Sequence, residues 1–405
     1  MSRTTLRGEN STAAPARRGR LVALDGLRLI AALMVVFHHY VGFGGGPTAS
    51  ENAWGRPVSQ VFHHASAFGG YLWTGFCLFF IISGFVICMS SWGRGLGDFF
   101  TSRVMRLYPA FWVSVLATTA VLTLWPVVRK PLDAYSVLAN MTMLAEPLGY
   151  KVVDSVYWTL WIELRFYLLF ALVVWRGVTY RRVVAFCVLW TVGGLVSGSV
   201  KIPGLELFAM SEVSSFFVAG LAFYLMHRFG PNLLLWGIVV LSWILSLRYA
   251  GDHQGDLTGY LGRALPSWPA LLLVTLSYLV VAAVALGFTA RIQWRWLTVA
   301  GALTYPLYLL HEYIGWTAIR LLRNHAQPWV VVGVVTLGML LAAWLVHRLI
   351  ERPLAPLLKR GLRGAFEQLR AAEPATGAPR VGVQAPAAVT SQQDGDLVGA
   401  ARPAP

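Results

Sequence analysis

Ten stretches of this chain are apolar over the roughly twenty residues a helix needs to cross a bilayer. They lie at approximately 21–41, 72–91, 108–125, 158–175, 183–199, 205–226, 233–247, 269–288, 297–319 and 329–350. In hydrocarbon a segment must pair its own backbone N–H and C=O groups, and for separate runs of this length that leaves the α-helix. The expected fold is all-α, a polytopic membrane helix bundle of about ten transmembrane helices. Composition agrees, since 13% of residues are charged and the mean hydropathy is +0.60, where a soluble domain carries roughly 25% charged residues.

The net charge of +15 is spread along this apolar chain and not gathered on one soluble face, which argues against a nucleic-acid partner and for a topology signal. Of the 33 Lys and Arg, 22 fall on the side shared by the N-terminal arm, the 92–107 loop and the C-terminus, and 8 on the other. The positive-inside rule then puts both termini in the cytoplasm of a multi-pass plasma-membrane protein. Residues 1–20 read as a basic cytoplasmic arm, 21–355 as the transmembrane domain, and 356–405 as a cytoplasmic tail, largely disordered, with low apolar periodicity and much Ala, Pro and Gly. The stretch LAPLLKRGLRGAFEQLR at its start fits a short amphipathic helix lying on the inner leaflet and equally a plain solvated tail. Cys77, Cys88 and Cys187 sit in apolar runs without Cys-x-x-Cys spacing, so neither a disulfide nor a metal site is indicated.

An ionisable group at membrane depth costs at least about 2.5–3.5 kcal/mol on insertion scales, so each one asks for a function or a partner. In LDGLRLIAALMVVFHHY, Arg28 and His39 are eleven residues apart, which at 100° per residue sets them within about 20° of one face and about 16 Å apart along the axis. His38 points about 80° away from Arg28. Asp25 has the position of a helix-start acid that pairs with Arg28 one turn on. In RVMRLYPAFW, Arg103 and Arg106 stand one turn apart just before the third span, matching a phosphate clamp and also the ordinary content of an inner loop. Glu163, in YWTLWIELRFYLLF, lies within a span near its outer end, and Tyr305 and His311 lie in LTYPLYLLHEYIG, where His311 can hydrogen-bond across the bundle.

These blocks together resemble the acyltransferase-3 family of integral membrane acyltransferases, over roughly residues 21–355. The matching motifs are Arg28 with His39, CLFFIISGFVI, Arg103 and Arg106 before Tyr-Pro, Trp158 with Glu163, and LTYPLYLLHE followed by VHRLIERPL. Cys77, Thr159 and Leu164 depart from the family's usual Asp, Ser and second acid, and the resemblance is to a stand-alone member, without the SGNH-type hydrolase domain that many members carry.

The resemblance implies transfer of a short acyl group from acyl-CoA, acetyl-CoA first, to a hydroxyl of a sugar, lipid-linked glycan or macrolide-like metabolite: carbohydrate-type O-acetylation among membrane lipids. By it His39 and Glu163 are catalytic, and Arg28, Arg103 and Arg106 hold acyl-CoA, which is a co-substrate and not a bound cofactor. Asp25, Tyr305 and His311 support them. A neutral imidazole suits a general base, and a covalent acyl-imidazole is the other route. The competing class is a transporter or flippase, since buried Arg, Glu and His also build solute paths.

Overall fold

The computed structural model describes residues 21–361 and 364, apart from 47, 49–51, 201, 203, 262, 355 and 359. The expected arm at 1–20 and most of the expected tail lie outside the described residues. Eleven principal helices follow in order, with no strand among the described residues: α1 (Val22–Phe37), α2 (Gly75–Ser91), α3 (Leu96–Leu124), α4 (Trp158–Trp175), α5 (Tyr180–Ser199) and α6 (Ser214–Phe229) come first, then α7 (Leu233–Leu261), α8 (Trp268–Ala285), α9 (Arg295–Leu310), α10 (Tyr313–Leu322) and α11 (Pro328–Val346). Nine segments of the described chain are helical, long and apolar enough to cross a membrane. Short helices such as His63–Gly69 and Ala134–Met141 fill the connections.

The core of the bundle is α2 against α6. Gly84 lies on the Phe217 carbonyl and Gly220 on the Ile81 carbonyl, so neither position has room for a Cβ. Lipid offers no hydrophobic drive for helices to associate, and such small residues let backbones approach until dispersion contacts supply it. Both helices are almost entirely buried, while α5, α7 and α11 present Leu, Val and Trp side chains outward.

Three expected elements come out differently. The span expected at 297–319 is two helices, α9 of 16 residues and α10 of 10, broken at His311 and Glu312. A break frees the His311 carbonyl from its helical partner, and the Tyr40 hydroxyl donates to it at 2.7 Å. Gly315 makes this fit, because a Cβ there would overlap the Tyr40 hydroxyl. Next, the third helix begins at Leu96 and not near 108, so Arg103 and Arg106 are helical residues and not loop residues. Gly95 enters in extended backbone and Asp98 sits in the first turn, where an acid favours the helix dipole. Finally, α1 passes at His38 into one π-helical turn, His38–Phe43, closed by Gly44 in left-handed conformation. The wider turn lets Gly42 rest directly on the Gly69 backbone. The azimuth arithmetic at 100° per residue therefore holds only as far as Phe37.

Candidate active site

α1, α2, α3, α4 and α9 enclose a cavity of about 730 Å³, counting its open mouth. Arg28, Arg103, Arg106 and Glu163 line it, with Phe76, Phe79 and Phe80 on the apolar side. The helix extension explains the Arg pair: continuous helix from Leu96 puts Arg103 and Arg106 one turn apart on the cavity side. Arg103 is buried, donates to the Ser90 hydroxyl at 3.2 Å and lies over the Tyr167 ring at 5.9 Å. Arg28 pairs with Asp25 at 3.5 Å, and the Ser83 hydroxyl donates to Glu163 at 2.6 Å. Glu163 was expected near the opposite end from the arginines; it lines the same cavity as they do. Its register explains this, because five residues of α4 carry it down from Trp158 to the level of Ser83. Three guanidiniums line the cavity against one lining carboxylate, Glu163, while Asp25 and Glu351 act on Arg28 and Arg106 from outside the lining; a positive lining suits an anion with several negative charges.

At the far end of the cavity stand Thr159 and Tyr308, whose hydroxyls are 2.8 Å apart. Tyr305 lines the wall and donates to the Leu107 carbonyl at 3.2 Å. His39 is not a lining residue. It lies beyond Tyr308, with its Nδ1 2.9 Å from His311 Nε2, and His311 Nδ1 is 2.8 Å from the Tyr308 carbonyl. The expectation that Arg28 and His39 serve one face together thus gives way to two groups on α1, one lining the cavity and one in the π turn.

Hydrogen counting assigns the tautomers. The Tyr308 carbonyl can only accept, so His311 Nδ1 carries the hydrogen and neutral His311 accepts at Nε2. His39 Nδ1 must then donate, which leaves the His39 Nε2 lone pair free. Glu312 Oε1 is 3.8 Å from that nitrogen. His38 is occupied differently: its Nδ1 lies 2.9 Å from the Gly69 carbonyl, to which it donates, and its ring stacks on Phe43.

Glu312 and its neighbour Asp154 were not among the residues singled out. Glu312 is buried, accepts from the Ser155 hydroxyl at 2.5 Å and from the Val156 N–H at 3.0 Å. Asp154 accepts from the Tyr313 N–H at 3.2 Å and hydrogen-bonds to Glu312. Two carboxyls in contact require a proton between them. Burial and the Glu312 charge push the Asp154 carboxyl well above the usual carboxylate range, so Asp154 carries it. The cost of a charge at membrane depth would have flagged Glu312, which directly follows His311.

A family model described as an acyltransferase domain matches residues 21–348. The chain belongs to the acyltransferase-3 family. No curated protein and no solved structure matches it. In this membrane acyltransferase all five motif blocks reach one place: Arg28, Ser83, the Arg103 and Arg106 pair, Glu163 and Tyr305 line the cavity, and His311 closes on His39 beyond it. Of the departures, Thr159 presents its hydroxyl at the cavity end, whereas Cys77 is fully buried. Cys77, Cys88 and Cys187 are free thiols, and no cluster of metal-binding side chains occurs among the described residues.

Proposed function

We propose that this acyltransferase moves a short acyl group, acetyl in the first instance, from acyl-CoA to a hydroxyl of a sugar, lipid-linked glycan or macrolide-like metabolite, with His39 as general base. The observation that carries the reading is the His39–His311–Tyr308 hydrogen-bond chain, which leaves a bare Nε2 on a half-buried ring beside a cationic cavity. Arg103 and Arg106 take the CoA phosphates, whose oxygens match forked guanidinium donors. Arg28, set by Asp25, meets the same anion, and Glu163, held by the Ser83 hydroxyl, lends negative charge to Arg28 and Arg103. The pantetheine arm lies along Phe76, Phe79 and Phe80, and the thioester reaches the Tyr308 and Thr159 end. The acceptor oxygen attacks the thioester carbon while its proton passes to His39 Nε2; the C–S bond then breaks and the imidazolium returns the proton to the CoA sulfur.

With the positive-inside orientation, the donor enters from the cytoplasm of a plasma-membrane protein. Purified protein with radiolabelled acetyl-CoA and a panel of glycans and macrolides, read by mass shift, tests this. Acetyl transfer that disappears in His39→Ala is the expected result. Solute flux in vesicles without consumption of acetyl-CoA would overturn it in favour of a transporter.

A further inference from the structure

Proton transfer to the half-buried His39 imidazole creates a cation, and a cation largely shielded from water needs an anion close by. The cavity acid, Glu163, is engaged with Ser83 on the other side of Tyr308. Glu312 is the carboxyl that faces His39. Burial raises its pKa, and donors oppose that by favouring the carboxylate: the Ser155 hydroxyl and the Val156 N–H donate to its two oxygens, and the protonated Asp154 adds a third bond. Arg129 adds positive charge from the α3–α4 connection, where it donates to the Val152 carbonyl and the Tyr313 hydroxyl. The remaining titratable groups around it are His311, Tyr40, Tyr157, Tyr308 and Tyr313, with Tyr40 committed to the His311 carbonyl.

We propose that Glu312 is the positioning residue of His39, its carboxylate holding the imidazolium that forms when Nε2 takes the acceptor's proton at 3.8 Å from Oε1. The inference rests on His39 being the base. In the step, the acceptor O–H bond breaks and Nε2–H forms; on collapse that N–H breaks and the CoA sulfur gains the proton. Glu312 exchanges no proton and makes no contact with either substrate. Asp154 serves it as a neutral donor, so the two members of the carboxyl pair are chemically unequal.

That inequality is the test. Wild type, Glu312→Gln, Glu312→Asp, Asp154→Asn and His39→Ala are purified, checked for fold by size exclusion and melting, and assayed with acetyl-CoA across pH. Glu312→Gln should lower kcat by about a hundredfold or more, near the lower bound for losing a general base, with KM for acetyl-CoA within about twofold. Without the nearby anion His39 keeps its lone pair to lower pH, so the acidic limb of kcat should move down in pH. Glu312→Asp should recover part of the rate, and Asp154→Asn, whose amide can still donate, should stay within about tenfold of wild type with its acidic limb unmoved.

Wild-type rate and limb in Glu312→Gln would overturn the proposal. So would equal losses in Glu312→Gln and Asp154→Asn with no movement of the limb, the signature of a merely structural pair. If Glu312→Gln does not accumulate, Glu312→Asp and Asp154→Asn decide: inactive Asp154→Asn or a Glu312→Asp protein with a wild-type limb and no rate overturns it. Activity in His39→Ala, whatever Glu312 does, means that the base assignment has failed and not the role of its partner alone.

Discussion

At His39 the hydrogen count decides the chemistry, because the Tyr308 carbonyl accepts only and fixes every proton upstream of it. His38, one position earlier, has its Nδ1 hydrogen committed to the Gly69 carbonyl. Replacing the two should therefore have unlike effects. His39→Ala should cost about 10²–10⁴ in rate at unchanged membrane abundance. His38→Phe can keep the stack on Phe43 but strands a buried carbonyl, so it should remain active while losing about 1–3 kcal/mol of stability, seen as a lower melting temperature in detergent. A dead His38→Phe beside an active His39→Ala would reverse the assignment.

The elements place these groups by their irregularities. The π turn at the end of α1 and the break between α9 and α10 meet each other: Tyr40 reaches the freed His311 carbonyl, and Trp316 donates to the His39 carbonyl at 2.9 Å. Regular helices at both places would separate His39 from His311. By contrast α2 and α6 are regular and pack backbone to backbone. Gly220→Leu there should cost about 1–3 kcal/mol or more through overpacking against the Ile81 carbonyl, measurable as a loss of thermal stability. α3 carries the third element-scale expectation. Removing Arg103 and Arg106 together deletes charge-assisted bonds of about 1.5–3 kcal/mol each, so the KM for acyl-CoA should rise at least tenfold while that for the acceptor changes little. Equal rises in both would remove the donor site from α3.

Across the whole molecule, the excess of Lys and Arg on one side of the apolar runs predicts that a reporter fused after Pro405 is active inside the cell. A reporter active only outside would invert the bundle and the direction of donor entry. The all-α architecture and most of the helices were legible along the chain, since a bilayer admits few solutions for an apolar run of twenty residues and each run carries that constraint locally. Arg28 and Glu163 were legible for a related reason, as charges where charge is costly, whereas Arg103 and Arg106 stood out only as a pair one turn apart beside a span. What the linear pattern did not contain is which of them meet. His39 and His311 are 272 positions apart, and Glu312 and Ser155 are 157. Helical periodicity reports the direction of a side chain about its own axis, and only while the turn stays α-helical. The partner of each group, the proton each nitrogen holds and the break that brings Glu312 to His39 depend on contacts between separate helices, and these were decided by the tertiary structure alone.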